Sequence, residues 1–518
     1  MKRSRIRSRI IWAMVLVVLM MTASACASKE EKAAETTKPT AAATTPGEEQ
    51  KEPALEPVEL TWYFPSGLQN IKDVQAVEDE MNKIVQPQIN ATIRLKPVDW
   101  GAFEQKVNTM NAAGESYDMV FTAPWSNNYF QNVAKGSLKP LDDLLDQYAP
   151  KLKASVPAKV WDATRVGGKI YGSINYQVVA MPFGASIDQR FIDKYKVDVS
   201  AITKYEDFEP YLAQWKEAFP PFYAVKGSSD GFTNQPPYFG MDSIGDDSLV
   251  GWVKLDDSEL KVINQYASPE FKSFMELKRK WNKAGYFSKD LMDAAQVDAI
   301  AKNNKDVYTP FSIATALKPG NAAEVKEKYK ADVVDKPLSK AIVTTARAIA
   351  TMTGISETSK NPERAMMFLE LINSDKALYN LMSHGIEGKH YKITDADKGV
   401  IESIVDSGYQ PSSDWMFGNQ FNGYYVSPSQ VGVWEETIEL NNTADASPLI
   451  GFSFDGEAVK TEITATASVW KQYADIFANG LDDTDKVLPE FLEKMNKAGA
   501  EKIIAEKQRQ IDEWKKTR

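Results

Sequence analysis

The sequence predicts an α/β protein with two or more domains. Three runs rich in β-branched and aromatic residues, 58–64, 91–98 and 117–122, are predicted strands. Apolar residues at three- and four-residue steps predict helices between them, around Val77 and Val107. This order of elements predicts a parallel sheet with helices on its faces. Without its leader the chain keeps about 490 residues, more than one hydrophobic core usually supports.

The remaining elements are predicted from start and stop signals. The Gly167-Gly168 pair predicts a hairpin over 166–172, because glycine adopts positive φ at little cost. Ser268-Pro269 predicts a helix start, with serine as the cap and proline in the first turn. The other predicted elements are a helix over 141–148, a strand within 178–187, a helix opening at 205, an irregular region over 220–247, a strand over 341–345, helices starting at 361 and 374, and C-terminal helices broken at Gly499.

The N-terminus has the pattern of a signal peptide. Five basic residues precede an apolar run of 12 residues, 10–21. As a helix this run spans roughly 18 Å, short of the bilayer hydrocarbon core of about 30 Å. Small residues and the only cysteine of the chain, Cys26, follow it. The site resembles a bacterial lipobox, except that Ala23 stands where leucine is favoured. The alternative is ordinary secretory cleavage after Ala25 or Ala27.

Residues 26–57 are predicted to be a flexible tether. They are rich in Lys, Glu, Ala, Thr and Pro and contain no aromatic residue, so they cannot bury enough apolar surface to fold. The predicted organisation therefore starts with a lipoprotein signal peptide over 1–25 and a disordered tether over 26–57. Order is predicted to begin at Val58.

Charge and composition exclude several kinds of partner. Removal of the five basic leader residues takes the formal net charge from −10 to −15, which argues against a nucleic-acid ligand. A lone cysteine forms no structural disulfide within the chain. With His384 and His390 as the only histidines, we predict neither a metal site nor a cofactor.

Several stretches resemble the LipO-type lipoproteins, which are substrate-binding components of ABC importers within the family-1 extracellular solute-binding proteins. The stretches are NPERAMMFLELINSDK (361–376), LYNL (378–381), GIEGKHY (385–391), YDMVFTAPW (117–125), GFSFD (451–455), VKTE (459–462) and AEKIIAEKQ (500–508) with Trp514. The resemblance implies a two-lobed, type II periplasmic-binding-protein-like fold with discontinuous lobes joined by a hinge. We accordingly predict an N-lobe of 58–177 plus 305–385 and a C-lobe of 178–304 plus 386–518.

The same resemblance implies a function. The protein would capture a carbohydrate, an oligosaccharide in our prediction, between its lobes. As a monomer held on the outer face of the cell membrane by a lipid on Cys26, it would deliver this cargo to the transmembrane subunits of an ABC permease. Two alternatives remain open: a surface glycoside-active enzyme, and a binding protein for a peptide or another non-sugar solute.

Candidate ligand contacts follow from the place and chemistry of the residues. Ligands of open α/β sheets bind beyond the carboxyl ends of the strands, which selects the loops 65–67 and 123–129. A sugar site needs aromatic faces and planar polar groups, because an unpaired buried hydroxyl costs about 1–3 kcal/mol. Each candidate also has a structural alternative: a place in the core, in a surface loop or at the lobe interface, or, for Arg347, a pair with a carboxylate. The candidates are Tyr63, Ser66, Trp125, Asn127, Asn128, Tyr176, Gln177, Asp242, Arg347, Trp415, Phe417, Asn419, Gln420 and Tyr424.

The sequence favours a binding protein over an enzyme. A glycosidase needs two positioned carboxylates, but with 71 acidic residues some pair always looks suitable. A nucleotide-binding P-loop and the His-Glu-x-x-His zinc motif are both absent. We therefore predict no catalytic residue.

Overall fold

The structure is a computed structural model that describes residues 55–220, 222–225, 231–247, 249–287, 308 and 310–517. The predicted signal peptide, Cys26 and the predicted tether as far as residue 54 lie outside these residues. The strands are β1 (Val58–Ser66), β2 (Ala91–Asp99), β3 (Met119–Thr122), β4 (Arg165–Val166), β5 (Lys169–Ile170), β6 (Ser173–Ile174), β7 (Ala180–Met181), β8 (Phe183–Asp188), β9 (Met241–Asp242), β10 (Trp252–Lys254), β11 (Val262–Ile263), β12 (Phe311–Ala316), β13 (Val333–Pro337), β14 (Ile342–Val343), β15 (Met352–Ile355), β16 (Tyr391–Asp395), β17 (Val400–Ser403) and β18 (Asp445–Ala446).

The helices alternate with these strands in the N-terminal part and dominate the C-terminal part. They are α1 (Val74–Ile89), α2 (Phe103–Ala113), α3 (Tyr129–Ala134), α4 (Asp142–Tyr148), α5 (Pro150–Ser155), α6 (Ala158–Asp162), α7 (Gln189–Tyr195), α8 (Glu209–Ala218), α9 (Pro269–Lys283), α10 (Asn321–Tyr329), α11 (Thr345–Ala348), α12 (Pro362–Ser374), α13 (Lys376–His384), α14 (Val433–Thr443), α15 (Lys460–Asn479), α16 (Thr484–Lys497) and α17 (Ala500–Trp514). Among the described residues, no helix is long and apolar enough to cross a bilayer.

A five-stranded sheet, in the order β2-β1-β3-β15-β6, forms the base of the first core. The predicted parallel pairing of the first three strands is confirmed. Strand β1 runs parallel to β2 as far as Ser66↔Asp99 and parallel to β3 at Trp62↔Met119. The sheet is mixed rather than wholly parallel, since β15 runs antiparallel to both β3 and β6. Strands β6 and β15 belong to later parts of the chain, which return to the sheet.

The local start and stop signals are largely confirmed. Ser268 Oγ accepts a hydrogen bond from the Phe271 amide at 3.1 Å, as a helix cap should. Gly499 takes a φ of 103° between α16 and α17. The predicted strand over 341–345 is shorter, because the Thr344 hydroxyl accepts from the Arg347 amide and starts α11.

Two large hydrophobic cores divide the chain. The first core takes buried residues from 60–180, 343–382 and 409–417, together with Ile450. The second core takes buried residues from 185–287 and from 459–503. A smaller cluster that includes Leu449 and Ile511 joins α17 to the sheet of β9, β10 and β11. Each large core is therefore discontinuous in sequence.

A small sheet lies where the chain passes between the two cores. Its strands, β7, β14 and β18, come from the three passages. Ile342 of β14 pairs antiparallel with Met181 and parallel with Asp445. We call this sheet the crossing sheet.

The cores group the chain differently from the predicted lobes. Residues 311–337, predicted in the N-lobe, form β12 and β13, and both strands pair with β8 on the side of the second core. Residues 409–417, predicted in the C-lobe, pack in the first core. Strand pairing and packing between distant segments decide this grouping, and the local sequence pattern carries neither.

Candidate functional site

Three tryptophans from separate segments meet at one end of the large sheet. Trp100 follows β2 and Trp125 follows β3, so both lie beyond the carboxyl ends of parallel strands. Trp415 belongs to a 3-10 helix, Asp414–Met416. The ring centroid of Trp125 lies 6.1 Å from that of Trp100 and 6.0 Å from that of Trp415. We call these three residues the tryptophan platform.

The platform is apolar and exposed, and it packs on a buried aromatic residue. Trp125 is 55% exposed and Trp100 is 40% exposed. Phe121, which is buried, supports the platform at 5.8 Å from Trp125 and 6.4 Å from Trp415. Exposed aromatic faces on a rigid base are typical of a binding site, because isolated large apolar patches are rare on monomer surfaces.

Hydrogen bonds tie the platform to residues beside the crossing sheet. The Trp125 Nε1–H donates to the Ala350 carbonyl at 2.7 Å. The Thr351 hydroxyl donates to the Trp415 carbonyl at 3.1 Å, and Gln177 Nε2 donates to that hydroxyl oxygen at 3.0 Å. Gln177, predicted at the hinge, therefore positions the platform.

Asn127 and Asn128 support the loop that carries Trp125. Asn127 is buried with a φ of 46°, and its Nδ2 donates to the Phe121 carbonyl at 2.8 Å. Asn128 caps α3, with its Oδ1 accepting from the Gln131 amide at 3.0 Å. Both side chains hydrogen-bond within the chain, so they hold the loop rather than offer free groups to a ligand.

Phe417 and Tyr176 lie in the core rather than at a surface. The Phe417 ring packs edge-on against Trp62 at 5.9 Å and against Phe64 at 5.4 Å. Tyr176 is buried, with its ring 5.0 Å from that of Phe421. Burial raises the pKa of the Tyr176 phenol. These buried positions do not support the predicted ligand roles of the two residues, which stay predictions.

The other candidates from the run 414–425 brace that run. Asn419 Oδ1 accepts from the Phe421 amide at 3.1 Å. Gln420 Nε2 donates to the carboxylate of Asp414, the neighbour of Trp415, at 2.8 Å. Tyr424 is half-buried with its ring 5.9 Å from that of Tyr391. The run thus shapes the segment that presents one member of the platform.

The two candidates on β1 differ in their surroundings. Tyr63 is half-buried and packs edge-on against Tyr117 at 5.8 Å. Ser66 is buried at the end of the strand, and its hydroxyl has no hydrogen-bond partner among the described residues. Neither side chain contacts a ring of the platform in the contacts that the structure describes.

Asp242 and Arg347 lie near the crossing sheet. The buried Asp242 carboxylate accepts from the Ser447 hydroxyl at 2.5 Å and from the Ile244 amide at 2.8 Å. Burial raises the pKa of Asp242. Arg347 is half-buried with its guanidinium 5.8 Å from the centre of the Phe183 ring. Asp242 therefore links β9 to the segment after β18, and Arg347 is held over an aromatic face.

Trp100 is the site residue that sequence reasoning missed. It stands directly after the predicted second strand, so the rule that selected the loops after β1 and β3 also applied to it. Its stacking on Trp125, with ring planes 24° apart, depends on the packing of two loops and was not visible in the sequence.

Comparison with known proteins identifies the family. A model for bacterial extracellular solute-binding proteins matches residues 77–378. A carbohydrate ABC transporter substrate-binding protein of Streptococcus pneumoniae serotype 4 is 30% identical over 453 residues, covering 84% of this chain and 87% of the relative. The chain belongs to the bacterial extracellular solute-binding protein family. The family-level resemblance is therefore confirmed, while lipidation of this solute-binding protein remains a prediction.

Solved structures extend the likeness over nearly the whole chain. The N-glycan transport solute-binding protein NgtS of Streptococcus pneumoniae superposes with a TM-score of 0.74 at 25% identity, covering 88% of this chain and 98% of NgtS. The complex of NgtS with Man5GlcNAc superposes with a TM-score of 0.63, also at 25% identity, covering 89% of this chain and 99% of NgtS. An HMO-binding, ABC-transporter-associated solute-binding protein of Bifidobacterium longum infantis shares the fold with a TM-score of 0.57 at 14% identity, covering 88% of this chain and 99% of that protein.

The C-terminal part of this solute-binding protein matches a second model. Residues 448–516 correspond to a domain of unknown function (DUF3502). In the structure this segment contains α15, α16 and α17, whose apolar side chains complete the second core. The segment is thus an integral part of the second core, since its core residues pack with those of 185–287.

Proposed function

We propose that this solute-binding protein captures a carbohydrate, an oligosaccharide, between its two lobes and delivers it to an ABC importer. The observation that carries the proposal is the tryptophan platform, which exposes indole faces beyond the strand ends and beside the crossing sheet. Aromatic faces suit the apolar C–H faces of sugar rings. The kinship with a carbohydrate-transport relative and with NgtS supports the same ligand class.

The proposed lobes follow the two cores. We assign the N-lobe to the segments of the first core and the C-lobe to the segments of the second, with the crossing sheet as the hinge. A ligand that touches both lobes favours the closed arrangement over the open one by the free energy of the added contacts.

The proposed partner is the permease of the importer, which would recognise the closed lobes. We place the protein at the extracytoplasmic face of the membrane as a monomer. A lipid on Cys26 and the tether after it would keep the receptor near its permease, where a high local concentration replaces tight affinity.

The proposed role is binding without catalysis. One hydrolase-like pattern does occur, Gly-x-Ser-x-Gly over 227–231, but the α/β-hydrolase site that this pattern marks pairs its serine with a histidine base. Both nitrogens of His390 are engaged, one accepting from the Ile386 amide at 2.8 Å and one facing Asp73 at 3.3 Å. Burial lowers the pKa of His384, whose ring packs by Tyr391. Neither histidine is placed to act as the general base for such a serine.

Calorimetry with recovery of the ligand tests the proposal. We expect saturable binding of an oligosaccharide such as Man5GlcNAc and its intact recovery by chromatography. Release of shorter sugars would show an enzyme instead. A thermal-shift screen that includes peptides covers the non-sugar alternative, because a ligand at 100 times its Kd stabilises by about 2.7 kcal/mol. Stabilisation by peptides alone would overturn the assignment.

A further inference from the structure

Two segments from opposite lobes touch each other away from the crossing sheet. On the C-lobe side, α10 packs against β13, where Asn321 Nδ2 donates to the Asp335 carboxylate at 2.8 Å. On the N-lobe side, a 3-10 turn, Pro428–Gln430, follows the run 414–425. This turn contacts α10. We call the contact between α10 and residues 427–433 the inter-lobe contact.

The inter-lobe contact combines a hydrogen bond with close packing. The Ser427 hydroxyl donates to Glu327 Oε1 at 3.1 Å, and Ser427 is buried although Glu327 is exposed. At the start of α10, a Cβ added at Gly320 would lie 2.8 Å from Val433 Cγ2, closer than real Cβ atoms come. Glycine at this position therefore lets the backbone of one lobe meet a side chain of the other with no space left between them.

Helix α14 fixes the N-lobe side of the inter-lobe contact. In its first turn, Trp434 Nε1 donates to the Gly423 carbonyl at 2.9 Å. Near its end, the buried Asn441 accepts from the Val179 amide at 2.9 Å and donates to the Gln177 carbonyl at 2.8 Å. Gln177 also positions the tryptophan platform. The helix and the platform are thus parts of one hydrogen-bonded body.

The length of α14 makes the inter-lobe contact sensitive to the angle between the lobes. Its 11 residues span about 16 Å from Val433 to the crossing sheet, whose strand β18 follows the helix. A rotation of about 10° at the crossing sheet moves the far end of such a helix by about 3 Å, which is enough to break a hydrogen bond. The contact therefore exists only over a narrow range of lobe angles.

This arrangement of the lobes leaves the tryptophan platform uncovered. Trp125 and Trp100 are 55% and 40% exposed, and in the ring contacts that the structure describes the platform rings meet only Phe121 and one another. Closure has to bring the C-lobe over these rings. It cannot press the lobes closer at Gly320 and Val433, where they already touch, so the two surfaces have to slide or separate there.

We propose that the inter-lobe contact is a latch that holds the lobes open and breaks before they close on a ligand. The inference rests on the proposed function. Because the ligand needs the closed lobes, its apparent affinity falls in proportion to the closed fraction, which the latch lowers. The latch thus sets the affinity without touching the ligand.

A pair of cysteines tests the latch in the full chain. A Cβ at Gly320 would lie 3.5 Å from Val433 Cβ, at the short end of the roughly 3.5–4.5 Å that a disulfide needs. The variant Gly320→Cys/Val433→Cys is made with Cys26→Ser, which removes the only native thiol. We expect the pair to oxidise in the free protein. In calorimetry the oxidised form should bind Man5GlcNAc about tenfold more weakly, or worse, than the same protein after reduction, which is the matched control.

A second variant releases the latch without a disulfide. Glu327→Ala removes the acceptor of the Ser427 hydroxyl and should tighten binding of Man5GlcNAc by about two- to tenfold, the factor that one hydrogen bond implies. Lys330→Ala is its control, because Lys330 pairs with Glu327 at 3.2 Å but does not bond to Ser427 in the hydrogen bonds that the structure describes. The control should leave the affinity unchanged.

The outcomes separate the latch from the function it rests on. If the wild type binds no oligosaccharide, the proposed function fails and the latch fails with it. If the wild type binds but the cysteine pair does not oxidise, the two segments do not meet in solution and the latch alone is overturned. Equal affinities of the oxidised and reduced forms, or no gain in affinity in Glu327→Ala, also overturn the latch alone.

Weaker binding by the oxidised form, together with tighter binding by Glu327→Ala but not by Lys330→Ala, supports the latch. Gly320 has a φ of 80°, so the melting temperature of the reduced pair shows whether a cysteine is tolerated there. If the pair unfolds the chain, the comparison of Glu327→Ala with Lys330→Ala decides by itself.

Discussion

Lys507 on α17 gives the most quantitative prediction. It is fully buried, and its Nζ donates to the Gly251 carbonyl at 2.8 Å. Burial lowers the pKa of Lys507 to about 7, although Asp246 and Asp242 favour the charged form. Because the unfolded chain keeps the ordinary value of 10.5, folding carries a cost whenever this ammonium is buried charged.

The cost depends on pH in a defined way. Below pH 7 both states are protonated and the full cost, about 5 kcal/mol by order of magnitude, is present. Between pH 7 and 10.5 the native state loses the proton while the unfolded state keeps it, so stability rises with pH. From pH 7 to pH 9 this group should stabilise the wild type by about 2 kcal/mol.

The test is Lys507→Met, which keeps an apolar stem and removes the titrating group. Loss of the donor to Gly251 costs about 1–3 kcal/mol at every pH. We therefore expect urea unfolding to show that the stability of the variant relative to wild type falls by about 2 kcal/mol between pH 7 and pH 9. Lys502→Met is the control, because Lys502 is exposed on the same helix and pairs with Glu462 at 2.8 Å.

A difference between variant and wild type that stays constant from pH 7 to pH 9 would refute this reasoning. It would mean that Lys507 is charged in the native state throughout the range, stabilised by its acidic neighbours more than burial opposes it. The same pH dependence in Lys502→Met would assign the effect to the surface of α17 instead.

Three further predictions concern the platform, the fold and the anchor. Trp125→Ala should weaken oligosaccharide binding by about 1–3 kcal/mol in calorimetry, because it removes an aromatic stacking surface, and should change the melting temperature little. The control Leu481→Ala, at another exposed apolar residue, should leave affinity unchanged. A drop in melting temperature alone would place Trp125 in the core. Gly480→Ala should lower the free energy of unfolding by at least about 1 kcal/mol. Gly480 has a φ of 61°, and an added Cβ would lie 2.5 Å from the Lys278 carbonyl oxygen. An unchanged urea midpoint would contradict this prediction. Cys26→Ser should release the protein from membranes in fractionation, and mass spectrometry of the wild-type N-terminus should show a lipid; an unmodified N-terminus after Ala25 or Ala27 would show secretory cleavage instead.

Local signals were sufficient to place several elements. The periodicity of 74–84 predicted α1, whose Val77, Met81 and Val85 are buried as expected. The Gly167-Gly168 hairpin forms between β4 and β5. These elements were predictable because each depends on residues close in sequence, whose spacing decides which face is buried.

The candidate site was only partly predictable. The strand-end rule selected Trp125, which is exposed, but it selected Asn127 with it, and that side chain is used to hold the loop. Composition could not separate Trp415 from Phe417, although two residues apart one joins the platform and the other packs in the core. Which of two neighbouring aromatics faces outward depends on the partner that each meets.

The sequence alone indicated the N-terminal strands and helices, several later helices, the family, and the leader pattern that ends at Cys26. Only the tertiary structure decided that β12 and β13 pair with β8, that β14 pairs with both β7 and β18, and that Trp100 stacks on Trp125. The physical reason is range. Helix and strand patterns record burial along one segment, whereas strand pairing and ring stacking depend on contacts between segments that the chain brings together only when it folds.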